Sequence, residues 1–121
     1  DPFNPKAYFY LGAALEEMGH KEESIIKLRR SIELDPEDPE ALNYLGYIYA
    51  DDNRNLDEAE ALIKKALELN PGYGEAYYNR GIAYEGQKQL EKARAEFVKA
   101  YESGLRTQLL YERMVVHGLL K

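Results

Sequence analysis

The 121-residue sequence contains no cysteine and no tryptophan. Without cysteine there is no disulfide, no thiolate metal site and no cysteine nucleophile. The only two histidines, His20 and His117, lie at opposite ends of the chain, which argues against a histidine-built metal site. Uncharged stretches are short, so no membrane-spanning segment is expected. The net charge is −6 and there is no long basic run, a poor basis for nucleic-acid binding. No segment alternates polar and apolar residues with period two, so no sheet is expected. No phosphate loop, nucleophile elbow or metal-ligand spacing occurs. The pairs Glu16-Glu17 and Glu22-Glu23 read as solvated charge, with nothing beside them to tune a pKa. Neither an enzyme nor a cofactor is therefore expected. No signal peptide is visible, although a start at Asp1 leaves room for a removed leader. A soluble, cytoplasmic protein is the default expectation.

What is present is length for one domain and a surplus of tyrosine, eleven residues against three phenylalanines. A chain of this size buries roughly two-thirds of its unfolded surface, enough for a core without staples. The sequence also repeats itself. Ala7-Tyr8-Phe9-Tyr10-Leu11-Gly12 returns as Ala41-Leu42-Asn43-Tyr44-Leu45-Gly46 and as Ala76-Tyr77-Tyr78-Asn79-Arg80-Gly81, with the glycines 34 and then 35 residues apart. Ile32-Glu33-Leu34-Asp35-Pro36 likewise returns as Leu67-Glu68-Leu69-Asn70-Pro71. The units are 5–38, 39–73 and 74–107, followed by a last segment.

Each unit reads as two helices. Asn4-Pro5 and Asp38-Pro39 are helix starts, because an Asn or Asp cap satisfies orphan amides and Pro lacks only one that would be unpaired. Asn55 with Glu58 resembles a capping box. Turns are expected around Gly19, across Asp51–Asn55 and around Gly86-Gln87. Apolar residues at helical spacing, such as Ile25, Leu28 and Ile32, mark the second helices. Gly12, Gly46 and Gly81 sit inside first helices, where glycine costs about 1 kcal/mol relative to alanine. Close helix approach would offset that cost, with Ser24/Ser31, Ala59/Ala66 and Ala93/Ala100 as the small facing surface. Lys27, Arg29 and Arg30 read as partners for neighbouring glutamates.

This pattern resembles the tetratricopeptide repeat, a 34-residue helix–turn–helix unit. The resemblance rests on Tyr8, Leu11-Gly12, Leu15, Ser24, Leu28, Ser31 and Pro36 in unit one. In unit two it rests on Leu42, Leu45-Gly46, Tyr49, Ala59, Ile63, Ala66 and Pro71, and in unit three on Tyr77, Gly81, Tyr84, Ala93, Phe97 and Ala100. Unit two carries one extra residue, expected in the Asp51–Asn55 turn. Arg80 replaces the usual leucine, and unit three lacks the closing proline. The resemblance implies an all-α fold, a right-handed superhelical solenoid of three hairpins with a capping helix at 107–120. It also implies a non-catalytic interaction scaffold whose first helices line a concave face.

On that implied geometry the tyrosines divide. Tyr8, Tyr49, Tyr77 and Tyr84 belong to the repeat signature and the core. Phe9, Tyr10, Asn43, Tyr44, Tyr47, Tyr78, Asn79 and Ile82 fall on the groove as binding residues for a peptide or partner helix, since tyrosine is enriched where proteins make contact. Lys6, Ala13, Glu17, Glu40, Asp51, Glu75 and Glu85 join them. The family's carboxylate clamp uses Lys and Asn, then Asn, then Lys and Arg. Phe9, Ala13, Tyr44, Glu75 and Asn79 stand in those places. A register shifted by one repeat finds Asn79 and Arg113 but puts Asn43 and Tyr47 in the first pair. The acidic lining would also repel an acidic tail, so an apolar, aromatic or basic peptide is expected, with Asn43 and Asn79 bonding its backbone. The last segment is apolar nearly all round, which predicts contact on more than one side. Leu109, Leu110, Met114, Val115, Val116, Leu119 and Leu120 are its self-association candidates; further repeats and the chain's own groove are the other covers. An excised or engineered repeat block that forms a homo-oligomer is the alternative to the peptide-binding scaffold.

Overall fold

The computed structural model describes residues 2–120. Seven helices follow one another: α1 (Pro5–Glu17), α2 (Lys21–Leu34), α3 (Pro39–Asp51), α4 (Leu56–Leu69), α5 (Gly74–Gly86), α6 (Leu90–Glu102) and α7 (Gln108–Val116). There is no strand among the described residues. Successive pairs form antiparallel hairpins that stack in a row, a helical-hairpin solenoid.

The local signals account for most boundaries. The Asn4 side chain accepts the amides of Lys6 and Ala7, and the Asp38 side chain accepts that of Glu40, each with proline in the first turn. The expected capping box at Asn55 does not form. Asn55 adopts a left-handed conformation (φ 49°) and makes no side-chain cap bond, while Glu58 pairs with Arg29 of α2 at 3.0 Å. The turn before α4 is four residues long, against three after α1 and α5, which accommodates the extra residue of unit two.

The first helices end alike. After α1, His20 N–H reaches back to Leu15 C=O (2.8 Å) across Gly19 (φ 85°). After α3, Arg54 N–H reaches Tyr49 C=O (3.0 Å) across Asn53 (φ 53°), and after α5, Gln89 N–H reaches Tyr84 C=O (2.9 Å) across Lys88 (φ 61°). This is the Schellman stop, which satisfies end carbonyls by placing one residue in the left-handed region. Lysine is an unfavourable occupant of that region.

Helix pairing within a hairpin depends on the repeated glycines, but the facing group differs from expectation. A Cβ on Gly12, Gly46 or Gly81 would fall 2.8 Å from Leu28 Cγ, 2.6 Å from Ile63 Cγ1 or 2.5 Å from Phe97 Cε1. The glycines therefore admit the large apolar residue of the second helix rather than the small ones beside it. In unit one the small residues are polar hooks. Ser24 Oγ donates to Gly12 C=O (2.6 Å) and Ser31 Oγ to Pro5 C=O (2.8 Å), and both serines are fully buried.

The core is a chain of interfaces rather than one centre. Phe9, Leu28, Leu45 and Tyr49 join units one and two; Ile63, Leu67 and Ala76 join units two and three; Phe97, Leu110 and Met114 close the far end. Tyr49 and Tyr84 are buried as expected, whereas Tyr8 and Tyr77 are only half-buried. Arg80 does more than imitate leucine, since its Nε donates to the buried Glu96 carboxylate at 2.9 Å. Lys6 ties the first two units together through Asp38 at 2.8 Å, and that bond is the main reason the Lys6 amine titrates above its ordinary value.

The last helix is shorter than the expected 107–120. It ends at Val116, and Gly118 (φ 72°) turns the chain so that Leu119 N–H bonds Met114 C=O at 2.8 Å. Leu119 and Leu120 then fold back onto the third cluster. Leu110 and Met114 stand where Ala76 and Arg80 stand in α5, so α7 follows as the first helix of a fourth unit. Both are buried in the chain's own core, which removes them from any surface contact.

Candidate functional site

First helices lie side by side along one face, and their spacing is uneven. α3 and α5 approach closely along their backbones, whereas α1 and α3 do not, nor do α5 and α7. Side-chain volume explains the difference. α5 meets α3 with the short Asn79, whose Nδ2 donates to Asn43. α3 meets α1 with Tyr44, whose ring stands edge-on to Phe9 with centroids 5.8 Å apart. α7 meets α5 with Arg113 and His117.

The concave face encloses a groove of about 570 Å³. Glu16 and Glu17 of α1, Asn43, Tyr44, Tyr47, Ala50 and Asp51 of α3, and Glu75, Tyr78, Asn79 and Ile82 of α5 line it, and Leu105, Thr107 and Leu109 close its far end. Of the eight residues expected as binding residues, six are brought together there: Asn43, Tyr44, Tyr47, Tyr78, Asn79 and Ile82. The other two are not. Phe9 is turned into the core between α1 and α3 (7% exposed), and Tyr10 points to solvent outside the groove (65% exposed). The geometry implied by the resemblance puts Phe9 on the groove side, but the wide gap between α1 and α3 lets its ring pack against Tyr44 in the core.

Hydrogen bonds order the groove floor. Asn79 Nδ2 donates to Asn43 Oδ1 (2.9 Å), and Asn43 Nδ2 donates to the Tyr73 hydroxyl (3.3 Å). Both ends of the Asn43 amide are thus engaged inside the protein and Asn43 is only 5% exposed, which corrects the expectation that it serves a peptide backbone. Asn79 Oδ1 accepts no hydrogen bond from the described residues. The Tyr44 hydroxyl donates to Glu16 at 3.1 Å. The Tyr44 and Tyr47 rings stand perpendicular to each other, centroids 5.6 Å apart.

The lining carries four carboxylates, Glu16, Glu17, Asp51 and Glu75, and no lysine, arginine or histidine. Tyrosine ionisation registers this field. Burial first, and the charges of Glu16 and Asp51 next, push the Tyr47 phenol above its ordinary pKa. Burial first, and then the hydrogen bond to Glu16, push Tyr44 up strongly. Tyr78 is raised by burial, with Arg113 opposing. Glu85, expected on the groove, is instead covered by α7. Arg113 Nη1 lies 3.3 Å and His117 Nε2 2.5 Å from its two oxygens.

Glu16, Ala50, Leu105, Thr107 and Leu109 were not among the expected binding residues. Glu16 and Ala50 carry a signal, because both lie four residues after the repeated glycine, where Glu85 also lies. Leu109 is one of the self-association candidates of the last, apolar segment. Among those candidates Leu109, Val115 and Val116 remain exposed. No cluster of three metal-ligating side chains occurs among the described residues, and no described helix is long and apolar enough to cross a membrane.

A row of helical hairpins with a concave groove along its first helices defines a helical-repeat solenoid. The sequence model of the tetratricopeptide repeat matches residues 14–73 and 48–105. The chain belongs to the tetratricopeptide-repeat family. Among solved structures it is similar to the first such domain of Spaghetti (RPAP3), bound to the HSP90 peptide SRMEEVD, at 20% identity and TM-score 0.87 over 98% of this chain and 93% of that one. This likeness concerns the fold. It is also similar to MamA, with 32% identity and TM-score 0.77 over 85% of this chain. YrrB, described as a protein with an unusual peptide-binding site, shares 28% identity and TM-score 0.83 over 93% of this chain. The chain spans 60% of the MamA chain and 57% of the YrrB chain.

Proposed function

We propose that the protein is a non-catalytic interaction module that holds a peptide or partner helix in its concave groove. Asn43 orders the groove, and Tyr44, Tyr47, Tyr78, Asn79 and Ile82 make the contacts. The observation carrying this reading is the groove itself: aromatic walls, an ordered amide floor and a volume of about 570 Å³ in one concave surface. Concave sites of this make-up are where ligands bind. Peptide recognition by the similar YrrB and RPAP3 domains supports it. The lining contains no cation, so the mode is not a clamp for an acidic C-terminus.

The test is selection of binders from a random heptapeptide display library, followed by NMR mapping of the footprint. Resonances of Tyr47, Tyr78 and Ile82 are expected to move, and Tyr47→Ala is expected to weaken binding at least tenfold while the domain stays folded by circular dichroism. A footprint confined to α2, α4 and α6 would sink the proposal.

A second reading has one observation in its favour. Leu109, Val115 and Val116 of α7 remain exposed, 52–64% accessible, and a second copy of the chain would cover them. Sedimentation over a wide concentration range decides it, because a strict monomer contradicts self-association through these residues.

A further inference from the structure

Three of the groove's four carboxylates stand at the wrong end of their helices. Glu16 and Glu17 close α1, and Asp51 closes α3, where unpaired carbonyls and the helix dipole already concentrate negative charge. Cations are the residues that stabilise this end, yet neither α1 nor α3 has a basic residue in its last turn. Several acids elsewhere are neutralised: Asp38 meets Lys6, Glu58 meets Arg29, and Glu96 meets Arg80. Glu17 and Asp51 have no ion-pair partner among the described residues, and Glu16 has only the Tyr44 hydroxyl. Charge placed against the helix dipole and left uncompensated is a stability cost that a binding site can explain.

The chain also contains the compensated version of this arrangement. The first helices have two wide gaps, α1 to α3 and α5 to α7. In each, a glutamate four residues after the repeated glycine faces a residue 28 positions further on. Glu16 faces Tyr44 and Glu85 faces Arg113. At α5 the carboxylate is thus met by a guanidinium and by His117 from the chain itself. At α1 the same carboxylate is met by a neutral phenol, with Glu17 and Asp51 adding to the charge.

Resting on the groove-binding reading above, we infer that the groove's occupant is an extended segment carrying an arginine or lysine, and that this cation seats between the C-terminal ends of α1 and α3. Glu17 and Asp51 supply the opposite charge, and the perpendicular rings of Tyr44 and Tyr47 supply π-faces for the aliphatic stem and charged head. Arginine suits the place better than lysine because it pairs with carboxylates bidentately and stacks on aromatic rings. Ile82 and Leu109, further along, take an apolar neighbour of the cationic residue.

The experiment uses three blocked heptapeptides, GSLRLSG and its counterparts with glutamine or glutamate in place of arginine, titrated by NMR at millimolar concentration. The arginine peptide is expected to bind at least tenfold tighter than the glutamine peptide, to move Tyr47 and Asp51, and to weaken as salt rises. The glutamate peptide is expected not to bind. The double variant Glu17→Gln/Asp51→Asn should lose the arginine preference while its melting temperature rises by about 2–5 °C, since charge opposed to the helix dipoles is removed. Equal binding of the arginine and glutamine peptides in the groove would overturn the cationic anchor and leave the groove reading intact. An arginine preference that survives in the double variant would overturn it too. Absence of any groove shift with all three peptides would overturn both readings.

Discussion

Arg113 of α7 lies 3.3 Å from Glu85 of α5 and repeats, two gaps later, the step by which Tyr44 reaches Glu16. His117 completes the contact from the same helix. α7 is thus held by charge on the concave side as well as by Leu110 and Met114 in the core. Glu85→Ala leaves Arg113 and the nearly buried His117 without their partner. A loss of about 1–3 kcal/mol is expected by urea unfolding, with faster hydrogen exchange confined to α7. Unchanged exchange there would mean that apolar packing alone secures the helix.

Gly46 admits the Ile63 side chain and has no room for a methyl group. Gly46→Ala gains about 1 kcal/mol in helix propensity but forces the buried Ile63 to shift. A net loss of about 1–2 kcal/mol is expected in chemical denaturation. A stabilised variant would show that the hairpin can open without cost.

Lys88 sits in the left-handed region at the end of α5, the place that Gly19 takes after α1. Lys88→Gly removes the Cβ strain and should stabilise the domain by about 0.5–1 kcal/mol. Loss of stability on this change would contradict the cap geometry.

Five tyrosines, Tyr44, Tyr47, Tyr73, Tyr78 and Tyr84, titrate above their ordinary value, burial being the largest cause in each. A raised folded pKa means the folded state keeps protons that the unfolded state gives up. Their contribution is complete below the unfolded value of about 10 and is lost as pH rises through the folded values. Lys6, held up by Asp38, acts with the same sign. Urea midpoints should therefore hold through neutral pH and fall steeply in alkali, together with a late rise in tyrosinate absorbance. A midpoint independent of pH in that range would refute the burial of these phenols.

Some of this was legible in the chain and some was not. The 34- and 35-residue spacing of Gly12, Gly46 and Gly81, with the Asn4-Pro5 and Asp38-Pro39 starts, marks the hairpins because these signals act within one or two turns of backbone. The capping box at Asn55 failed for the same local reason: the extra residue of that turn puts Asn55 at φ 49°, where its side chain cannot reach Glu58's amide. The resemblance assigns Phe9 to the groove face, but it cannot report that bulky Tyr44 stands between α1 and α3 and leaves room for the ring.

By itself, the sequence determined the repeat, the number of hairpins and the acidic balance, because each follows from residue type at a fixed period. Only the tertiary structure decided how far apart the first helices stand, which carboxylates the chain neutralises, and that α7 ends at Val116 with Leu109 turned to the groove. These depend on side-chain volumes meeting across units about thirty residues apart, and no local pattern encodes that sum.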